Sequence, residues 1–113
     1  MSDECLFCRI ARREVPVSLV AESVSCLAFR DIAPRAPTHV LVIPREHVAS
    51  LNSLEDTVIV ADMTALALQV VREAAIAEAG YRLVINTNAH GGQTVFHLHM
   101  HVLGGRPMAW PPG

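Results

Sequence analysis

The segment that decides the fold is residues 94–105, T-V-F-H-L-H-M-H-V-L-G-G, near the end of the 113-residue sequence. Its three histidines, His97, His99 and His101, occupy every second position and alternate with apolar residues. This period of two is typical of a β-strand, in which every second side chain points to the same face, roughly 7 Å from the next. We therefore predict a last strand over residues 96–103 with the imidazoles on one face. The face toward the core is expected to carry Phe96, Leu98, Met100 and Val102.

The remaining sequence predicts an α+β fold in a single domain over residues 1–113. Short apolar or β-branched runs predict four more strands, over residues 18–21, 24–31, 39–44 and 81–86. Proline- and glycine-rich stretches predict loops over residues 32–38 and 88–93 and an extended C-terminal tail over residues 106–113. Strands arranged around one long helix favour a five-stranded antiparallel sheet that is covered on one face.

Two helices are predicted, a short N-terminal one over residues 5–14 and a long one over residues 54–79. The long helix is indicated by apolar residues near helical spacing: Val58, Met63, Leu66, Val70 and Ala74. Ser53, followed three residues later by an acid, predicts its start, and Gly80 predicts its end.

Composition and charge exclude several classes of protein. Half of the residues are hydrophobic, but no stretch approaches the ~18 consecutive apolar residues of a membrane span. The net charge is −2 and the arginines are scattered, so no basic stripe indicates a nucleic-acid partner. The N-terminus is acidic and lacks the apolar region of a signal peptide, and a cytoplasmic location is the expectation.

The three cysteines argue against a disulfide framework, because their number is odd and no secretion signal is predicted. Cys26 is expected to be a small core residue. Cys5 and Cys8 form a C-x-x-C pair, which is compatible with a redox motif, half of a metal site or two buried thiols.

The alternating histidines favour a catalytic or metal-binding role over a purely structural one. Imidazole binds metals, and near neutral pH it also acts as a base, an acid or a nucleophile. The preceding Gly91-Gly92-Gln93-Thr94 can cradle an anion with its backbone N–H groups and a hydroxyl. A phosphate cradle beside a row of histidines indicates phosphoryl or nucleotidyl transfer, with one imidazole attacking phosphorus. A catalytic zinc site and a polar strand face without function are the alternatives.

H-L-H-M-H-V-L resembles the His-φ-His-φ-His-φ-φ signature of the histidine triad (HIT) superfamily of nucleotide hydrolases and transferases. The resemblance extends to F-x-D-I-x-P-x-A-P-T-H-x-L-V-I-P-x-x-H over residues 29–47 and to G-G-Q-T-V-F before the triad. The C-terminal L-G-G-R-x-M-x-W-P-P-G is similar to the HINT branch. This resemblance implies a homodimeric purine nucleoside phosphoramidase that cleaves P–N bonds in adenosine 5′-monophosphoramidates, acts on acyl adenylates and needs no cofactor for catalysis.

The resemblance also implies roles for individual residues. His99 matches the nucleophile, which forms a covalent nucleotidyl intermediate. His101 matches the residue that contacts the α-phosphate, His39 the histidine that completes the proton relay, and Thr94 a family serine whose hydroxyl bonds the phosphate or the departing nitrogen. Residues at positions that match nucleotide contacts are Asp31 for the ribose, Asn86 and Gly92 near phosphate and ribose, and Phe7, Ile10, Phe29, Ile32 and Leu41 for the purine.

Other members of the superfamily bind a structural zinc through a Cys-x-x-Cys pair and two histidines. The matching positions in this sequence are Cys5, Cys8, His47 and His97. Two thiolates and two imidazoles suit a closed tetrahedral site. The alternative is that both histidines make buried hydrogen bonds while the thiols stay free.

Overall fold

The computed structural model describes residues 5–113, and residues 1–4 lie outside it. Its strands are β1 (Leu19–Glu22), β2 (Cys26–Arg30), β3 (Thr38–Pro44), β4 (Tyr81–Val84) and β5 (Met100–Gly104). Its helices are α1 (Leu6–Ala11), α2 (Val58–Glu73) and the single turn α3 (Asn88–Gly91), with a 3₁₀ turn at Leu51–Ser53. The strands form one antiparallel sheet in the order β1-β2-β3-β5-β4, which confirms the predicted α+β class.

The two faces of the sheet bury different partners. On one face α2 packs against alternate residues of β2, β3 and β5, with Val42, Met100 and Val102 among the buried residues. On the other face α1 packs Phe7 and Ile10 against the intervening residues of β2 and β3. Because side chains alternate along a strand, β3 supplies Val40 and Val42 to the first face and His39 and Leu41 to the second. The second face carries the candidate site.

The bounds predicted for the long helix were wrong at both ends. It begins at Val58 because Ser53 belongs to the preceding 3₁₀ turn and the Asp56 side chain accepts a bond from the Val58 N–H. It ends at Glu73 because Ala75 adopts a left-handed φ of 58°, which reverses the chain before Gly80. The terminal members of the predicted stripe, Val58 and Ala74, are consequently exposed. Nowhere in residues 5–113 is a helix long and apolar enough to cross a membrane.

The other predicted elements needed smaller corrections. The N-terminal helix ends at Ala11, three residues early, and residues 88–91 form a helical turn inside the predicted loop. The last strand begins at Met100, so that His97 and His99 precede the ladder rather than belong to it. Leu98, Met100 and Val102 still face the core, but Phe96 is 52% exposed and its prediction as a core residue was wrong.

Candidate active site and metal centre

Two adjacent cavities lie on the sheet face opposite α2. The first, here called the base cavity, has a volume of about 380 Å³ and is lined mostly by apolar side chains from α1, β2 and β3. The second, here called the tail cavity, has a volume of about 650 Å³ and lies between β4, β5 and the C-terminal residues. Asp31, Thr94 and His101 line both cavities. A ligand that filled both would therefore cross at these three residues.

The predicted site residues divide between the two cavities. All five residues proposed for the purine, Phe7, Ile10, Phe29, Ile32 and Leu41, line the base cavity together with His99. His39, Asn86 and Gly92 line the tail cavity. Ile32 is 97% exposed and forms part of the rim, whereas the other four apolar residues are buried. The structure thus brings together the residues that the resemblance had assigned to one nucleotide.

His99 presents a lone pair to the base cavity. Its side chain is only 7% exposed. Nδ1 lies 2.8 Å from the main-chain oxygen of His97, an acceptor, so Nδ1 carries the proton and donates it. In the neutral ring the other nitrogen, Nε2, is then unprotonated and available as a nucleophile.

His101 has the opposite tautomer, which a chain of hydrogen bonds fixes. The Arg35 N–H donates to His39 Nδ1 at 3.0 Å, so the proton of neutral His39 resides on Nε2. That N–H donates to His101 Nδ1 at 2.9 Å, and His101 must carry its own proton on Nε2. The His99 and His101 ring centroids are 5.1 Å apart. The site therefore places a lone pair and an N–H donor side by side.

The surroundings keep both relay histidines neutral. Burial, reinforced by the neighbouring His99 and His39, lowers the pKa of His101 to about 4, although Asp31 opposes the shift. Burial also lowers the pKa of His39, while Asp31, whose Oδ2 lies 3.4 Å from His39 Nε2, opposes that shift. At neutral pH the relay of His39 and His101 accordingly contains donors and lone pairs but no imidazolium.

We expect acid to destabilise the fold through His101. Unfolded His101 takes up a proton near pH 6.5, but the folded residue resists protonation until about pH 4. The free energy of unfolding therefore falls as the pH drops through this window, by roughly 1–3 kcal/mol from this group. Urea unfolding at pH 7 and pH 4.5 should show a smaller pH-dependent loss for His101→Gln than for wild type. Equal losses of unfolding free energy in wild type and His101→Gln would contradict the assignment of this pH dependence to His101.

The loop before the triad is held by Gln93. Its buried side chain donates to the Ala49 and Val95 carbonyls and accepts from the Asn88 N–H. Gly92 has a φ of 84°, a left-handed conformation that glycine adopts without strain. This geometry fixes the loop and leaves Gly92 and Thr94 facing the tail cavity.

Cys5, Cys8, His47 and His97 converge on one point, and their ligand atoms all lie within 4.8 Å of one another. His97 Nδ1 is 3.3 Å from Cys5 Sγ and 3.5 Å from Cys8 Sγ, and His47 Nδ1 is 3.3 Å from Cys8 Sγ. Tetrahedral zinc with bonds of about 2.3 Å to sulfur and about 2.1 Å to nitrogen separates S from N by about 3.6 Å. The donor set and spacing fit a zinc ion.

The tautomer of His97 also fits a metal. Its Nε2 lies 2.8 Å from the Pro44 carbonyl oxygen and donates to it, which leaves a lone pair on Nδ1 facing both thiols. A carbonyl that orients the far nitrogen is the usual support for a metal-binding histidine. Burial lowers the pKa of His97 and raises that of Cys8, so a cation is needed to favour a Cys8 thiolate.

A second group, Asp31, His39 and His101, also lies within ligand distance but suits a metal less well. The Arg35 N–H occupies His39 Nδ1, so the nitrogen directed at the other two residues carries a proton. Metal binding there requires moving that proton to Nδ1, where it would face the Arg35 N–H. This contrast favours a proton relay at the triad and a metal at the cysteines.

Three arginines near the site were not predicted from the sequence. Arg35 supplies the N–H to His39, and Arg82 and Arg106 line the tail cavity. Arg82 donates to the Ala109 carbonyl and Arg106 to the Arg35 carbonyl. The register pairs Arg82 with Leu103 and Val84 with His101, which places these two side chains of β4 on the face of the triad, whereas Leu83 faces the α2 core.

Comparison with known proteins gives concordant matches. The HIT domain family model matches residues 12–108. A purine nucleoside phosphoramidase of Escherichia coli K12 is 46% identical over 110 residues, which cover 96% of this chain and 92% of that protein. An uncharacterized HIT-like protein of Synechococcus elongatus is 51% identical over the whole of both chains. The crystal structure of a HIT family hydrolase from Legionella pneumophila superposes with a TM-score of 0.94 at 48% identity, covering 97% of this chain and all of that one.

Proposed function

This chain belongs to the HIT family, and on that premise we propose that it is a purine nucleoside phosphoramidase. It hydrolyses adenosine 5′-monophosphoramidates at the P–N bond, acts also on acyl adenylates, and forms a covalent nucleotidyl-histidine. The observation that carries the proposal is the pair of complementary tautomers at His99 and His101, beside an apolar cavity large enough for a base. A relative named for this activity supports the reaction class.

The first step is attack on phosphorus. His99 Nε2 forms a new N–P bond while the P–N bond to the leaving amine breaks. His99 needs no base, because its Nδ1 keeps its proton, and the hydrogen bond that this N–H donates to the His97 carbonyl stabilises the resulting cationic ring. The anionic substrate raises the pKa of His101, so an imidazolium there protonates the departing amine.

The second step is hydrolysis. His101 Nε2, freed when it protonated the amine, accepts a proton from water as the water oxygen bonds to phosphorus, while His39 orients the His101 ring. The electron pair of the N–P bond returns to His99 Nε2, and AMP leaves. In this proposal Asp31 accepts the ribose hydroxyls and Thr94 donates its hydroxyl proton to the phosphate, and the position of both residues at the boundary of the cavities supports these roles.

The test is hydrolysis of adenosine 5′-monophosphoramidate by wild-type protein, with release of AMP and ammonia measured at saturating substrate. The proposal expects hydrolysis that survives EDTA and gains nothing from added Mg²⁺ or Mn²⁺. A rate that vanished with the chelator and returned with either cation would favour a metal-dependent phosphohydrolase. AMP binding without any turnover would instead favour a nucleotide-binding protein that is not an enzyme.

We further propose that the chain binds a structural zinc at Cys5, Cys8, His47 and His97. The geometry and donor set support this site, and His47, the exposed member, closes it toward solvent. We also place the protein in the cytoplasm, where thiols such as these stay reduced.

A homodimer joined through β4 is part of the same proposal. The sheet has two edges, β1 and β4. A register shift between Leu19 and Ala21 interrupts β1, and such irregularities discourage pairing, whereas β4 pairs regularly with β5. Sedimentation velocity at micromolar concentration should give a dimer, and a monomer would refute this arrangement.

A further inference from the structure

The metal cluster and the nucleophile share one residue. The side chain of His97 faces Cys5 and Cys8, while its main-chain oxygen accepts the Nδ1 proton of His99. His97 is fully buried, and Pro44 holds its other ring nitrogen. Any shift of this residue is therefore transmitted to both sites.

The short helix α1 also connects the two sites. Cys5 caps it and Cys8 lies within it, and between these cysteines stands Phe7. The Phe7 ring packs edge-on against His97 at 5.9 Å and against His99 at 5.2 Å between centroids. One turn later Ile10 lines the base cavity with Phe7. One face of this helix thus belongs to the metal cluster and another to the base cavity.

A helix of six residues has little stability of its own. Its position depends on the contacts that its two faces make with the metal cluster and with the base cavity. Because Phe7 lies between Cys5 and Cys8 in the same helical turn, residues that hold a cation also hold the wall of the base cavity. Conversely, a base packed on Phe7 and Ile10 restrains the segment that carries both thiols.

We propose that metal binding at Cys5, Cys8, His47 and His97 and nucleotide binding in the base cavity are energetically coupled through α1. Each ligand reduces the ordering that the other must impose on Phe7 and its helix. The inference rests on the proposed nucleotide site but not on the chemical step. Linkage requires that zinc raise the AMP affinity by the same factor by which AMP raises the zinc affinity, and couplings of this kind are typically about 5–150-fold.

The test measures both sides of the linkage on the full chain. Zinc affinity is determined by competition with a chelating dye, with and without saturating AMP, and AMP affinity by calorimetry on zinc-loaded and stripped protein. The zinc affinity and the AMP affinity are expected to increase by the same factor. If the stripped protein is poorly folded, the zinc titrations with and without AMP are enough to measure the coupling factor, because each titration runs between zinc-loaded and zinc-free protein.

Phe7→Leu should shrink the coupling factor toward one, since leucine retains apolar volume but loses the edge contacts to both histidines. Cys26→Ala, which removes a buried cysteine outside the cluster, should leave the factor unchanged. Equal affinities with and without the second ligand would overturn the coupling while leaving phosphoramidase activity intact. Zinc below about a tenth of an equivalent, or no AMP binding in either state, would overturn the coupling together with the corresponding proposed site.

Discussion

Replacing His99 by alanine should lower phosphoramidate turnover by at least roughly 10³-fold, because no other group offers phosphorus a lone pair in the same position. The neighbouring rings do not substitute for it. His101 directs an N–H, not a lone pair, into the cavity, and the free nitrogen of His97 faces the cysteines. AMP affinity should change little, since the apolar walls and Asp31 remain.

The measurement pairs steady-state rates with intact-protein mass after rapid quenching without acid. Wild type should gain one AMP transiently and His99→Ala should not. His90→Ala is the matched control, because His90 is exposed on α3 and lines neither cavity. Retained turnover in His99→Ala would show that another residue is the nucleophile.

The sequence was sufficient to predict the sheet face that carries the site. The alternation over residues 96–102 predicted which side chains face the core, and three of the four predicted apolar residues do so, Phe96 being the exception. However, the alternation predicted a strand that begins at residue 96, whereas β5 begins at Met100. Leu98 donates to the Val48 carbonyl outside the sheet ladder, so the alternation persists where regular pairing has ended. A period of two therefore predicts which face of the segment is buried, but it does not predict whether the segment pairs with another strand.

The tautomers could not be predicted from the sequence. They depend on single backbone groups: the Arg35 N–H on His39, the His97 carbonyl on His99 and the Pro44 carbonyl on His97. Every residue has such groups, so no side-chain pattern identifies the ones that matter. His97, His99 and His101 look equivalent in the sequence. Tertiary contacts alone give His97 a lone pair that faces the cysteines, His99 a lone pair at the base cavity and His101 an N–H donor.

Loss of the metal should produce the largest change in stability. Protein purified without chelator or nickel is expected to contain about one zinc per chain. Removal should lower the free energy of unfolding by about 4 kcal/mol for zinc supplied at 1,000 times its dissociation constant. The physical reason is that the four proposed ligands come from the start of α1, the loop after β3 and the triad, which lie far apart in the sequence.

Cys8→Ser tests this directly, because serine keeps the size of the side chain but removes the thiolate. The variant should lose zinc, unfold at lower urea and respond to neither chelator nor added metal. Cys26→Ala should retain the zinc and the full response to chelator, since Cys26 is a buried thiol on the opposite face of the sheet. A wild type that, like Cys8→Ser, contains no zinc and does not respond to chelator would instead mean that the thiols and imidazoles only pack and hydrogen-bond. The elevated pKa of Cys8 would then keep it a neutral thiol throughout the physiological range.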